Sequence, residues 1–241
     1  MLIIIFFFFI IINISVAQIN ERVVSTAIYK IELTKGNSLI INDSCKLTIS
    51  KSYSYFFSLG KLAMDEKNIK IIKSGGDIQP CATCYQNVYY KNYSQNKIYR
   101  IAPLLDGKYA YPIDSIISIN WVLQNDSVMI NGVKCIKAIG KLNAEIYTAW
   151  FAPSIPVSDG PTFLKGLPGL ILKCETTNGV KMSLLSFSQS YNTNVENKLG
   201  YPFIFTSYVE FKTVEQHLKE EMNSGRAIPL NGGNGTIRKL N

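Results

Sequence analysis

A rhythm of two, repeatedly cut short by turn formers, constrains this chain more than any other feature. Ala27, Tyr29, Ile31 and Leu33 alternate with Lys30 and Glu32, and Cys45, Leu47 and Ile49 alternate with Lys46, Thr48 and Ser50. The same alternation returns at Ile117, Ile119, Trp121 and Leu123, and again at Val180, Met182 and Leu184. Side chains of a strand point to opposite faces in turn, so each run describes a strand with one face in a core. Between the runs stand Lys35-Gly36-Asn37, Gly75-Gly76, Asn131-Gly132 and Asn178-Gly179. Asn178-Gly179 suits a type I′ hairpin, whose two central residues both need positive φ. No long helical crossover is available to link parallel strands. The expected fold is mainly β, a curved antiparallel sheet or half-barrel.

One helix is expected near the C-terminus. Thr213 and Gln216 are spaced as a capping box, Val214, Leu218 and Met222 form a stripe, and Gly225 can end the helix. The tail over 231–241 is polar and glycine-rich and is expected to be loose.

Leu2 to Ile12 is an unbroken apolar run of eleven residues, and Ser15-Val16-Ala17 follows with small residues before Gln18. As a helix the run is roughly 17 Å long, at about 1.5 Å per residue, against a hydrocarbon core of about 30 Å. It therefore reads as a signal peptide over 1–17 rather than a membrane anchor, although no Lys or Arg precedes it. The remainder, 18–230, is expected to be a single β-rich domain. The net charge of the whole chain, +8, is scattered rather than blocked. Long-range attraction to anionic lipid or polysaccharide is open to it, whereas nucleic acid is not an expected partner of an exported chain.

Export also bears on the five cysteines, Cys45, Cys81, Cys84, Cys135 and Cys174, because disulfides persist outside the cytosol. Cys81 and Cys84 form a C-x-x-C with no helical period after it. A local disulfide is the first reading and a metal or redox pair the second. A zinc site would need a second ligand pair that neither the other cysteines nor the lone His217 supplies.

The stretch from Asn143 to Glu175 combines an aromatic strand, Pro153 and Pro156, then Gly160-Pro161 and Gly166-Leu167-Pro168-Gly169, before Leu170-Ile171-Leu172. Neither proline can donate to a ladder, so the strand must leave the sheet there or sit at its edge. Pro168 and Gly169 suit a type II turn with Gly169 at positive φ. Alternation then buries Leu170 and Leu172, or else Ile171. The hexapeptide Gly166, Leu167, Pro168, Gly169, Leu170, Ile171 is the signature of the GLPGLI family, exported proteins of the Bacteroidota, and this chain resembles that family beyond it. Trp121, Ile130 to Ala138, Ala149-Trp150-Phe151, Ile155-Pro156 and Gly160-Pro161 come in the family's order. Val133 and Thr162 depart from its usual aromatics. The resemblance implies export to the periplasm, outer membrane or surface of a Gram-negative bacterium. It brings no activity, cofactor or catalytic residue. By analogy such sheets resemble the half-barrel of periplasmic lipoprotein carriers, which hold an apolar ligand on the concave face.

No catalytic set is expected. A nucleophilic site would depend on His217, and Glu145, Asp159 and Glu175 read as solvated carboxylates at turns and strand ends. The reading is a non-catalytic envelope protein, peripherally attached if at all. It would bind a protein partner or an apolar, lipid-like ligand in a groove lined by Trp150, Phe151 and Phe163. A metal- or redox-handling protein using Cys81 and Cys84 is the alternative.

Overall fold

The computed structural model describes residues 16–17, 23–77, 79–104, 107–113, 117–189, 203–223, 228–229 and 236–237. Its strands are β1 (Val16–Ala17), β2 (Val23–Lys35), β3 (Ser38–Ser50), β4 (Tyr53–Ser58), β5 (Val88–Asn92), β6 (Lys97–Leu104), β7 (Gly107–Pro112), β8 (Asn120–Ile130), β9 (Val133–Leu142), β10 (Glu145–Ala152), β11 (Leu170–Thr176), β12 (Val180–Gln189), β13 (Phe203–Phe205), β14 (Ile228–Pro229) and β15 (Thr236–Ile237). The helices are α1 (Leu59–Lys73) and α2 (Tyr208–Asn223). Thirteen strands form one open, curved sheet in the order β1-β13-β7-β6-β5-β4-β3-β2-β12-β11-β10-β9-β8, which is a half-barrel with a C-terminal helix. Eleven of the strands make two antiparallel meanders, β2 to β7 and β8 to β12, joined where β12 pairs with β2. At one edge β13 pairs with β7 in parallel, the one departure from the expected antiparallel pairing among the described strands, and β1 lies beyond it.

The alternation seen in the sequence becomes two faces. The inner face carries Ala27, Tyr29, Ile31, Leu47, Phe56, Tyr89, Ala149 and Phe151 in one buried cluster. On the N-terminal meander the outer face is also apolar: Tyr53, Tyr55, Phe57, Tyr90, Tyr99 and Ile101 form a second cluster, with Leu59 and Leu62 of α1 against it. All six residues of β4 are therefore buried, as in a strand covered on both sides.

Three local expectations are corrected. The helix begins at Tyr208, because Ser207 and Glu210 form the capping box: Glu210 N–H donates to Ser207 Oγ (3.2 Å) and Ser207 N–H to Glu210 Oε2 (2.9 Å). Thr213 is thus inside the helix, donating back to Val209 O (3.1 Å), and the buried anchor of α2 is Phe211, which stacks on Tyr111 at 4.6 Å. Helix α1 had no apolar stripe to announce it. It is capped by Ser58, whose Oγ accepts from Lys61 N–H (2.7 Å), and its contact with the outer cluster is confined to Leu59 and Leu62. The type I′ pair is Asn131 (φ 52°) and Gly132 (φ 77°), between β8 and β9. At Asn178-Gly179 the glycine alone has positive φ, and Gly179 N–H reaches Thr176 O (3.1 Å) in a three-residue loop.

Of the leader, Val16 and Ala17 are described, and they pair with β13. The rest of the leader and Gly225 lie outside the described residues. Within the tail, Thr236–Ile237 pairs with Ile228–Pro229.

Candidate functional site

Where β10 leaves the sheet, residues 153–169 fold back over the inner face and return as β11. Leu164 and Leu167 from this segment join the central cluster, each about 1% exposed. The half-barrel is therefore filled here by its own chain. Ile155 O accepts from Leu170 N–H (3.0 Å), Asp159 O accepts from Ile171 N–H (2.9 Å), and the Tyr29 hydroxyl donates to Ile171 O (2.9 Å). Trp121 Nε1–H donates to Lys165 O (2.9 Å), and Lys165 Nζ to Asn96 Oδ1 (2.6 Å), fastening the far end of the segment. Thr162 turns within it at φ 58°, a region that β-branched residues rarely occupy.

The centre of this arrangement is an ion pair. Lys91, on the inner face of β5, is 0% exposed, and so is Asp159. Lys91 Nζ donates to Asp159 Oδ1, to Gly160 O (2.8 Å) and to Leu164 O (3.1 Å), which uses all three ammonium protons. Asp159 Oδ1 also accepts from Gly160 N–H (2.6 Å), and Oδ2 accepts from the Tyr93 hydroxyl (2.5 Å). Burial, with the Asp159 charge adding to it, pushes the Tyr93 phenol well above its ordinary range, so it stays a donor. Burial pulls the Lys91 ammonium down from its usual value, while Asp159 acts to hold it up. Asp159 is thus not the solvated carboxylate expected from its turn position. The missed signal was Lys91: in Tyr89-Tyr90-Lys91 it takes the inward position of a period-two run, where a charge needs a partner.

Gly166 to Ile171 forms a bend, as expected, of a different type. Gly169 N–H bonds Leu167 O (2.8 Å), an i to i+2 closure around Pro168 that the fixed proline φ favours. Gly169 has φ 156°, not the value near 80° of a type II turn. Leu170, Ile171 and Leu172 are all 0% exposed, not alternately buried. The register passes from Trp150↔Lys173 to Phe151↔Ile171, leaving Leu172 as the extra residue of a β-bulge that breaks the alternation.

The three groove candidates do not converge. Phe151 is 1% exposed in the inner core, and Phe163 packs edge-on against Tyr89 (5.9 Å) and Tyr147 (6.1 Å). Trp150 lies on the outer face with Lys137 Nζ over its ring (5.8 Å). Phe163 lines a cavity of about 330 Å³ with Ile98, Ile117, Ile119 and Lys165. A second cavity, about 290 Å³, opens on the outer face against α1, lined by Tyr55, Phe57, Leu62, Val88 and Ile101 with the charged Lys61, Asp65 and Lys108. Burial lowers the Lys108 ammonium from its ordinary value, and Asp65 opposes this.

Cys81 and Cys84 are joined in a disulfide. Its loop is held by Asp43, which accepts from Tyr85 N–H (2.8 Å) and Ser58 Oγ (2.5 Å), and by Thr83 O, which accepts from Asn42 N–H (3.1 Å). Cys45, beside Asp43, is buried, and that burial pushes its thiol up, away from thiolate. Among the described residues no group of three or more His, Cys, Asp or Glu could hold a metal. The carboxylates are likewise dispersed: Glu145 accepts from the Tyr147 hydroxyl (3.2 Å), and Glu175 pairs with Lys173 (3.1 Å) on the outer face. Replacing both Cys81 and Cys84 by Ala should cost about 2 kcal/mol, the loop-entropy value for so short a ring. Urea denaturation of the oxidised protein and the variant measures it. An equal midpoint for the two would remove the structural role.

The fold therefore defines the class: a half-barrel whose inner face is filled by its own turn segment. Residues 139–173 match the family described as "Protein of unknown function (Porph_ging)". The match runs from late β9 to β11 and includes Gly166 to Ile171; the GLPGLI name itself rests on resemblance. Among solved structures, PNGF-II in a P21 crystal form is 14% identical, with a TM-score of 0.57 over 82% of this chain and 34% of that one. PNGF-II in a C2 form gives 13% identity and a TM-score of 0.57 over 80% and 33%. The likeness is one of fold, and this chain spans about a third of the length of those chains. No curated protein matches the sequence.

Proposed function

We propose that the chain is an exported, non-catalytic protein of a Gram-negative cell envelope that binds a small amphiphile in the outer-face cavity against α1. The observation that carries this reading is the cavity's composition. Aromatic and aliphatic walls from Tyr55, Phe57, Leu62, Val88 and Ile101 meet Lys61, Asp65 and Lys108; Lys61 pairs with Asp65 (3.1 Å), so the two lysines outweigh the one acid by a single positive charge. Such a site, apolar with a few convergent polar groups, suits an acyl chain ending in an anion. Its volume of about 290 Å³ favours a short chain. The filled inner face supports no lipid-carrier role there. The short leader supports export, and among the described residues no helix is long and apolar enough to cross a membrane. A closed disulfide offers no free thiolate to a metal, so the geometry adds no support to the metal or redox alternative.

Calorimetric titration with decanoate tests the proposal. Saturable binding is expected, weakened at least tenfold (about 1.4 kcal/mol) by Leu62→Trp, which fills the cavity, and severalfold by Lys108→Met. Absence of binding, or binding that Leu62→Trp leaves unchanged, would refute it.

A further inference from the structure

Away from that cavity, the outer face of the sheet carries an ordered row. Cross-strand register aligns Ser44 with Lys30, Lys30 with Ser183, Ser183 with Lys173, Lys173 with Trp150, and Trp150 with Lys137. These six residues come from six adjacent strands, β3, β2, β12, β11, β10 and β9, and form one line perpendicular to them. Their inward neighbours, such as Tyr29, Met182, Cys174 and Ala149, are buried, so the row itself faces outward. Lysine recurs at every second strand, separated once by a serine and once by tryptophan, and no acid stands in the line. With strands about 4.8 Å apart, successive lysines lie roughly 10 Å apart.

From this row we infer that the outer face binds an acidic polysaccharide laid across the strands. Roughly 10 Å between charges matches the spacing of every second carboxylate along an extended polymer of uronic acids. Between two cations, Trp150 offers a half-exposed ring to the C–H face of a sugar, and Ser183 offers a hydroxyl to sugar hydroxyls. An acidic peptide is a poorer occupant. Peptides gain most from adding a strand at a sheet edge, and the strands under this row are already paired on both sides. A lipid surface is also poorer, because Trp150 is the one large apolar group in the line. The acids that approach the row make exposed pairs, Glu175 with Lys173 (3.1 Å) and Asp126 with Lys137 (2.9 Å). Pairs of that kind contribute little and yield to a competing anion.

Affinity electrophoresis of the full chain through gels containing polygalacturonate, with dextran as the neutral control, tests the inference. The expected result is retardation by polygalacturonate alone, weakening as salt rises. Lys30→Gln, Lys173→Gln and Lys137→Gln together should weaken it at least tenfold. Trp150→Leu should weaken it severalfold without altering the salt dependence. Lys67→Gln, Lys70→Gln and Lys73→Gln on α1 remove the same charge elsewhere and should leave binding intact, with thermal melts verifying that each variant is folded. The inference is overturned if the α1 variant loses as much as the row variant, if Trp150→Leu binds normally, or if dextran retards equally. It is also overturned if vesicles containing phosphatidylglycerol bind the protein while the polymer does not.

Discussion

Lys91→Met is expected to destabilise the protein by about 3–5 kcal/mol, the usual cost of removing one partner from a buried ion pair. Methionine keeps most of the side-chain volume, so the loss reports charge rather than a cavity. It leaves Asp159, 0% exposed, with the Tyr93 hydroxyl and Gly160 N–H as its remaining donors. It also strands Gly160 O and Leu164 O, which Lys91 now satisfies. The decisive comparison is Lys91→Met combined with Asp159→Leu, which carries no orphaned charge and should recover part of the loss. Urea denaturation of the three proteins at neutral pH measures it. A single variant within about 1 kcal/mol of wild type would mean that the pair is solvated and does not hold the segment down.

Gly169→Ala is expected to cost about 3 kcal/mol or more, combining overpacking with a backbone conformation unfavourable to a Cβ. An added Cβ would lie 2.2 Å from Ala152 O, 2.6 Å from Ala152 C and 3.0 Å from Pro153 Cα. All three are backbone atoms at the point where β10 exits, so no side-chain rotation relieves the contact. The variant should melt lower by roughly 6–12 °C for a domain of this size, while polysaccharide and decanoate binding, measured below that transition, should persist. Wild-type stability with lost binding would instead make the bend a recognition loop. The glycine and proline of the hexapeptide are thus explained by geometry: Pro168 closes the bend, and Gly169 lets it lie against the strand it has just left.

The strands and their inner face were legible because alternation is a local property, written in consecutive residues such as Ala27 to Leu33. The central pair was not legible, because Lys91 and Asp159 are distant in sequence and each looks solvent-exposed beside its own neighbours. Alternation also failed at Leu170 to Leu172, where a bulge depends on the partner strand rather than on the run itself. Helix α1 was invisible for a different reason: it packs through Leu59 and Leu62 at one end, which gives no repeating stripe. Ser207 and Glu210 were readable in principle, since they have the spacing of a capping box, but Thr213 and Gln216 share that spacing and lie next to the apolar stripe. Trp150 and Phe151 are adjacent in one strand, which already implied opposite faces and argued against a common groove.

The joint between the two meanders also governs how the molecule can assemble. Strand β2 begins the first meander and β12 ends the second, so the sheet is continuous only after they meet. Tyr29 and Ile171, hydrogen-bonded across that joint, are 142 positions apart in sequence. Most strand pairs within each meander close over short loops, the exceptions being β4–β5 across α1 and β10–β11 across residues 153–169. This junction demands a search over a longer separation, with a larger entropy cost before any contact rewards it. Refolding should therefore be slow and limited by docking of β12. Until Val180–Gln189 is available, the chain remains two unjoined halves. A chain that stays open until its last third arrives can be threaded before it locks.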